Sequence, residues 1–396
     1  MSVTEGTPAA PAASADQPAP VAASAESVRD GIDRRLAPVL RDLAAGRRPR
    51  PSQLADLAAA ARADAVQPAF APRGAESGAE SPETLLAERV ALMPRVWEPF
   101  AAWWRGYFPG SDPAGAALAD LWRLYLPLAQ WITREKRARR PGELFMAGFN
   151  GSPGAGKTVL TSAVAVVLDQ LLDPRTEGRA LARSGDDWYL PKADREPLRA
   201  LGWDPGPPGV SNRSLPGTHD MDWLLRNLRE MEHSTPDSTL ALGNFDKKAD
   251  DQPSGPDAAF TVRGKVGVLL FDLWFAGAET AVDPLALPDG LQRRVAEHLP
   301  RWRPVFERMD ALWAYDWPSF EQMAREREAQ ERLVEARHGR RGMSPEHIRA
   351  FMAYMTEQSW DWRTTSPIPP DRVVTFRAWR DAGHRVIAVR KGARAA

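Results

Sequence analysis

The feature that most constrains this chain is a glycine-rich octapeptide between an apolar hexapeptide and a long amphipathic segment. The octapeptide fits the pattern G-x-x-x-x-G-K-[ST] at every position. Glycines let the backbone wrap a polyphosphate, and the start of the following helix contributes its positive dipole end. We therefore expect a nucleotide-binding loop made of Gly151, Ser152, Pro153, Gly154, Ala155, Gly156, Lys157 and Thr158.

Two side chains of this loop carry its expected chemistry. The ammonium of Lys157 can reach the β- and γ-phosphates, and the hydroxyl of Thr158 can bind Mg²⁺. The predicted cofactors are accordingly ATP and Mg²⁺. Such a loop indicates a nucleotide but does not specify a reaction.

After Gly142 the chain alternates strand-like and helix-like segments. This alternation predicts a mostly parallel sheet with helices on both faces. The predicted fold class is therefore α/β, a three-layer P-loop NTPase fold with an added N-terminal helical region. The candidate strands are 144–150, 179–184, 239–244, 266–271, 311–315 and 385–389, and the candidate helices between or after them are 157–172, 219–232, 319–337 and 344–358.

The part of the chain before the loop divides by composition. Residues 1–27 are rich in Ala and Pro and are expected to form a disordered tail. A short helix and a weakly structured linker are predicted for 28–84, and an N-terminal helical region for 85–140. The aromatic stripe of the last region is interpreted as core rather than as a ligand platform. Residues 141–396 are assigned to the P-loop domain.

Composition excludes several other classes of protein. The chain has no Cys, which excludes disulfides, thiolate zinc sites and iron–sulfur clusters. Lys+Arg and Asp+Glu both total 52, so we expect no nucleic-acid partner and no membrane held by bulk charge. The basic run 134–140 is interpreted as a solvated helix end. No membrane span or secretory signal is visible, so a cytoplasmic protein is expected.

Acidic residues follow two of the candidate strands. Asp186 and Asp187 come after 179–184, and Asp272 ends the apolar run VGVLLFD. Ligands bind at the carboxyl ends of strands in open α/β sheets. One of Asp186 and Asp187 could orient the attacking hydroxyl while the other faces magnesium or a neighbour, and the sequence leaves that choice open. Asp272 has the position of a magnesium-binding carboxylate.

An ordered set of motifs resembles the D-glycerate 3-kinase family, within the uridine kinase, phosphoribulokinase and pantothenate kinase group. The motifs are GSPGAGKT (151–158), DDWYL (186–190), PGTHD (216–220), FDKKADD (245–251) and LLFDLW (269–274). The resemblance covers roughly residues 120–375. It implies ATP-dependent phosphorylation of a small hydroxylated molecule and a P-loop kinase domain over 141–396.

The resemblance also implies roles for individual residues. Asp186 would be the catalytic base, with Lys157 and Asp187 beside it, and Thr158 and Asp272 would hold the metal. Arg325 would be a lid residue over the transferred phosphate. The residues implied to lie around the substrate are Tyr189, Arg213, His219, Asp220, Asp246 and Lys247. The residues alone predict that Thr218 caps a helix beginning at His219.

Three positions depart from the family pattern. Asn244 stands where an Arg is frequent, Gln252 stands where a basic residue is frequent, and Asp272 is followed by Leu273 instead of Gly. An amide does not replace a bidentate arginine contact with a carboxylate.

The expected function is a kinase for glycerate or a related small hydroxy compound. The alternatives are a P-loop kinase for a sugar, nucleoside or biosynthetic intermediate, and a non-catalytic ATP-binding regulatory protein. The expected partner is a small-molecule hydroxyl acceptor. The sequence gives no prediction of the oligomeric state.

Overall fold

A computed structural model describes residues 19–71, 81–200, 212–280, 282–338, 342–360, 362, 375–381 and 383–392. The helices are α1 Ala19–Ala44, α2 Pro51–Ala63, α3 Pro82–Tyr107, α4 Ala116–Asp120, α5 Leu126–Arg139, α6 Lys157–Leu171, α7 Lys192–Ala200, α8 Met221–Glu232, α9 Leu291–His298, α10 Arg303–Phe306, α11 Phe320–His338 and α12 Pro345–Ala353. The strands are β1 Phe145–Asn150, β2 Arg179–Ser184, β3 Thr239–Leu242, β4 Phe260–Arg263, β5 Val266–Asp272, β6 Ala311–Tyr315, β7 Phe376–Arg380 and β8 Val386–Lys391.

The central sheet of the described residues has the strand order β2-β5-β1-β6-β7-β8. All neighbouring pairs are parallel except β7 and β8, which are antiparallel. Every residue of β1, β5 and β6 is buried, as expected for parallel strands covered on both faces.

Alternate residues of β5 point into two separate cores, one on each face of the sheet. Val268 and Leu270 pack with residues of α1 to α6, whereas Leu269 and Phe271 pack with residues of α8 and α9. The three-layer α/β fold predicted from the sequence is therefore confirmed. None of the described helices is both long and apolar enough to cross a membrane.

The strand predicted at 239–244 is not part of the central sheet. Instead, β3 pairs antiparallel with β4 in a separate two-stranded ribbon. In β3 only Leu240 and Leu242 are buried, a pattern that fits a strand covered on one face. The sequence also missed β7, whose arginines interrupt its apolar pattern.

The N-terminal segments are more ordered than the sequence predicted. Helix α1 begins at Ala19, inside the predicted tail 1–27, of which residues 1–18 lie outside the described ones. Leu57 of α2 and Phe70 are buried in the same core as β1, so the described part of 28–84 is not a weakly structured linker. The division of the chain at residue 140 stays a prediction.

Ion pairs fasten α1 to the turn between β7 and β8. Arg29 Nη1 lies 2.6 Å from Asp381 Oδ2, and Arg385 Nη2 lies 2.9 Å from Asp33 Oδ2. Beyond the turn, the backbone N–H of Val389 donates to the carbonyl of Ala65. The N-terminal helices are thus held against the β8 end of the sheet.

Candidate active site

The phosphate loop lies at the carboxyl end of β1, where the chain passes into α6. Gly154 has φ +88° and Gly156 has φ +82°, a left-handed conformation that glycine adopts without steric cost. Gly156 is the residue just before α6, so the helix begins with Lys157. The exposed side chain of Thr158 follows in its first turn. This is the geometry in which free backbone N–H groups attract phosphate.

The ammonium of Lys157 is folded back on its own loop. Its Nζ donates to the carbonyl of Gly151 at 2.8 Å and to that of Ser152 at 3.1 Å. Burial lowers the pKa of Lys157 to about 8, although the charges of Asp272 and Asp186 oppose this. Those charges also show that the lysine shares one site with the predicted carboxylates.

Adjacent strands bring Ser184 and Asp272 together. Both residues end their strands, and they are direct partners in the parallel register of β2 and β5. The hydroxyl of Ser184 donates to Oδ1 of Asp272 at 3.0 Å, and its oxygen accepts the N–H of Asp186. The sequence analysis missed Ser184, whose position immediately before the Asp pair was the available signal.

Asp186 has a partner on each carboxylate oxygen. The hydroxyl of Tyr189 donates to Oδ1 at 2.6 Å, and Lys247 Nζ donates to Oδ2 at 2.6 Å. Burial acts to raise the pKa of Asp186, but the charge of Lys247 and these hydrogen bonds outweigh it and hold the pKa well below its usual range. The carboxylate is therefore ionised and fixed in orientation.

Asp187 has different surroundings, although it is the next residue. Its Oδ2 accepts the backbone N–H of Ser184 at 2.9 Å and lies 3.0 Å from Arg183 Nε. Burial raises its pKa to about 6, against the lowering effect of Arg183, and the charge of Asp272 adds to the rise. The two carboxyl groups thus have pKa values displaced in opposite directions.

The residues present suit a magnesium ion. Asp272 is buried, and burial raises its pKa despite the nearby charge of Lys157. A cation would compensate this buried carboxylate. Carboxylate and hydroxyl oxygens, here from Asp272 and Thr158, are the ligands that Mg²⁺ prefers.

His219 is an aromatic packing residue in this structure. Its ring is 4.4 Å from the ring of Tyr189 and 4.8 Å from that of Trp302, between centroids. Burial lowers the pKa of His219 to about 3, so the imidazole is neutral at physiological pH. It lies beside Asp186 through Tyr189 but does not supply a cation.

The predicted cap of the following helix is wrong by two residues. Asp220 accepts the N–H of Trp223 at 2.8 Å and caps α8, which begins at Met221. Thr218 instead donates its hydroxyl to the carbonyl of Leu215. A carboxylate is as good a cap as a hydroxyl, so the sequence did not distinguish them. Asp220 is therefore engaged in capping and does not act in the described structure as an anion site.

The loop that carries Lys247 is held by its own polar groups. Asp246 Oδ1 accepts the backbone N–H groups of Lys248 at 2.7 Å and Ala249 at 3.3 Å. Arg213 forms an ion pair with Asp250, and its guanidinium lies over the ring of Phe245. Lys247 alone of these predicted substrate residues contacts Asp186.

A fully buried arginine that the sequence analysis missed supports the same loop. Arg195 donates to the carbonyl of Leu190 at 2.9 Å and to Asn212 at 3.0 Å, and it forms an ion pair with Asp250. No motif signals this residue, because its partners are distant in sequence.

The two departures from the family pattern near this loop are bonded to backbone. Asn244 Nδ2 donates to the carbonyl of Asp257 at 3.0 Å, and Gln252 Nε2 donates to that of Tyr189 at 2.8 Å. In the described structure both amides stabilise the loop.

Helix α11 lies directly against the phosphate loop. A Cβ built on Gly154 would be 3.1 Å from the backbone nitrogen of Arg327. Arg327 is half-buried, and burial lowers its pKa, with further electrostatic contributions from Arg213 and Asp186. Arg325, the predicted lid residue, is exposed. Arg327 is therefore the better-placed lid candidate, and one helical turn around Arg325 contained both.

Comparison with known proteins gives relatives of one kind. No family model matches the chain. The uncharacterized kinase mug58 of Schizosaccharomyces pombe is 28% identical over 243 residues, which cover 57% of this chain and 83% of that protein. The solved structure of the YGR205w protein matches with a TM-score of 0.53 at 18% identity, and D-glycerate 3-kinase from Cryptococcus neoformans var. grubii with 0.51 at 16%. Each match covers 67% of this chain and 96% of the other.

At these identities the likeness between structures concerns the fold. The order of the motifs along the sequence and the arrangement of the sheet agree with it. The predicted resemblance of this chain to D-glycerate 3-kinase-like P-loop kinases is therefore confirmed.

Proposed function

We propose that the chain is an ATP-dependent kinase that transfers the γ-phosphoryl group to a hydroxyl of glycerate or a related small hydroxy compound. The observation that carries this proposal is the meeting of Lys157, Asp186 and Asp272 at the carboxyl ends of adjacent strands, because Asp272 and Asp186 both act on the charge of Lys157. A D-glycerate 3-kinase is among the solved structures of the same fold.

Phosphoryl transfer needs positioning and charge stabilisation more than strong base catalysis. Lys157 would neutralise the charge that grows on the β- and γ-oxygens, once it leaves the loop carbonyls that it contacts here. Asp186 is ionised over the physiological range and so can accept a hydrogen bond from the attacking hydroxyl. Its low pKa makes it an orienting group first and a proton acceptor late in the transfer.

Thr158 and Asp272 would hold Mg²⁺, which neutralises phosphate charge in reactions of this kind. Ser184 orients Asp272 through its hydroxyl. Arg327 would reach the transferred phosphate from α11, which lies against the loop. Lys247 would bind the acceptor beside Asp186, because its ammonium is already in contact with that carboxylate and is half exposed.

A second acceptor class is favoured by the pairing of the neighbouring arginines. Arg213 and Arg195 are both paired with Asp250. Near Asp186, this leaves Lys247 as the described cation already placed for an acceptor carboxylate. A neutral hydroxy compound would need no such cation.

The test is an ATP-consumption assay with D-glycerate, other hydroxy acids and neutral polyols, run on the purified chain and on Lys157→Ala. Phosphorylation of a hydroxy acid by the wild type and its loss in Lys157→Ala would support the first proposal. Turnover of neutral polyols alone would support the second acceptor class. ATP binding without turnover of any acceptor would point to the non-catalytic alternative.

A further inference from the structure

A basic cavity lies at the edge of the central sheet opposite to the phosphate loop. Its volume is about 310 Å³, and three chain segments form it. They are the approach to β2, the turn before β3 and the link from β4 to β5. The lining residues are Pro174, Arg175, Arg179, Pro236, Asp237, Arg263, Gly264 and Lys265.

The cavity concentrates positive charge in a chain whose formal net charge is zero. Four of its lining side chains are cationic and one is acidic. Among the described residues, Arg175, Arg179 and Arg263 form no ion pair. Lys265 donates one hydrogen bond, to the carbonyl of Thr176 at 3.0 Å, and its ammonium has two further donors.

The acidic side chains nearest to the cavity are engaged elsewhere. Asp173 accepts the backbone N–H groups of Arg175 and Thr176 at 2.8 and 3.0 Å. Glu177 is paired with Arg137 at 2.7 Å. Asp169 accepts the N–H of Ala180 at 2.8 Å. The convergent guanidinium groups therefore repel one another without an internal counter-ion, unless an external anion binds between them.

The backbone beneath these side chains is fixed. The N–H of Arg179 donates to the carbonyl of Lys265 at 2.9 Å, and that of Gly264 donates to Ser238 at 2.8 Å. Gly178 and Gly267 approach so closely that a Cβ on Gly178 would lie 2.5 Å from the nitrogen of Gly267. The spacing of the cations is thus set by the sheet and the ribbon before any ligand arrives.

We propose that this cavity is a second binding site, for a small molecule that carries a phosphate or pyrophosphate group. Guanidinium groups recognise phosphate oxygens through paired N–H donors, which carboxylates of the protein do not occupy here. The volume suits a small ligand and not a nucleic-acid duplex. The site lies a strand length, about 20 Å, from Ser184 and Asp272, so it is separate from the proposed active site.

Inorganic pyrophosphate is the probe, titrated calorimetrically into the full chain at low salt. The background variant is Lys157→Ala, which weakens the phosphate loop and leaves the cavity intact. Arg179→Gln with Arg263→Gln should weaken pyrophosphate binding in this background by about tenfold or more, because two charged hydrogen-bonding groups are lost. The matched control, Arg62→Gln with Arg226→Gln, removes two exposed arginines elsewhere and should not change the binding.

A carboxylate variant tests the same site in the opposite direction. Asp237→Asn removes the acidic lining side chain and should tighten binding, whereas Asp222→Asn on α8 should not. Should the double variant fail to fold, Arg263→Gln alone, at the exposed end of β4, is measured instead. The proposal is overturned if Lys157→Ala shows no saturable binding, or if the cavity variants bind as the control does. The outcome does not depend on whether the chain phosphorylates any acceptor.

Discussion

Lys247 Nζ lies 2.6 Å from Oδ2 of Asp186, across 61 positions of sequence, while Tyr189 holds the other oxygen of the same carboxylate. The ion pair joins the loop after β3 to the short turn after β2. It orients Asp186 and lowers its pKa, and it leaves half of the Lys247 side chain exposed. One contact therefore connects the proposed proton acceptor with the proposed acceptor-binding loop.

Asp186→Asn should lower kcat by about 10²–10³ and leave the KM for ATP nearly unchanged. The amide keeps the shape of the side chain but loses the charge that orients the attacking hydroxyl. Steady-state kinetics with ATP and the best acceptor measure both constants. Asp222→Asn, an exposed change on α8, is the control and should behave as wild type. Full activity in Asp186→Asn would remove this residue from the mechanism.

Lys157 should control the alkaline limb of the pH profile. Its pKa in the free protein is about 8, so kcat/KM for ATP should fall above pH 8 as the ammonium loses its proton. Bound phosphate should raise that pKa, and kcat should therefore stay flat over the same range. In Lys157→Arg, whatever its residual activity, the limb should disappear because a guanidinium stays charged. A limb that persists in the arginine variant would have to come from another group.

A pair of arginines in α11 distinguishes the two lid candidates. Arg327→Ala should lower kcat by about tenfold or more, since the helix backbone at this residue lies against Gly154. Arg325→Ala should change kcat by less than about twofold, because that side chain is exposed. Each variant is its partner's control, as both remove an arginine from the same helix. The reverse order of effects would restore Arg325 as the lid residue.

Asp187 should make the free energy of unfolding depend on pH. Its pKa is raised from 3.8 to about 6 in the folded protein, so the fold binds this proton more tightly than the unfolded chain does. That contribution to stability is complete below about pH 4 and is lost as the pH rises through 6. Relative to Asp187→Asn, the wild type should lose up to about 3 kcal/mol over this range. Urea unfolding at several pH values measures it, and parallel curves for the two proteins would contradict it.

The sequence predicted the fold class because the phosphate loop and the strand–helix alternation are local signals. Strands β1, β5 and β6 are continuous apolar runs, and the structure places all of them in the central sheet. Strand β3 has the same local signal but pairs with β4, because pairing depends on contacts that periodicity does not encode. The order of α1 and α2 was missed for a similar reason, since Ala-rich helices gain most of their stability by packing.

The candidate site was predictable where a motif carries the chemistry. Lys157, Asp186, Lys247 and Asp272 interact electrostatically, as the motifs lead one to expect. Ser184 and Arg195 carry no motif, and their roles depend on partners 88 and 17 residues away. The role of His219 was not readable either, because its neutral state follows from burial against rings that come from separate elements.

The backbone contact between Val389 and Ala65 protects the sheet from pairing with other chains. Strand β8 ends the strand order, so its outer N–H and C=O groups form an open edge. Ala65 takes one of these N–H groups, and α1 packs beside the same strand. A chain cut after residue 71 would expose that edge while it kept the phosphate loop. Such a fragment would self-associate by edge-to-edge strand addition, so the N-terminal helices serve as a solubility device for the domain that binds phosphate.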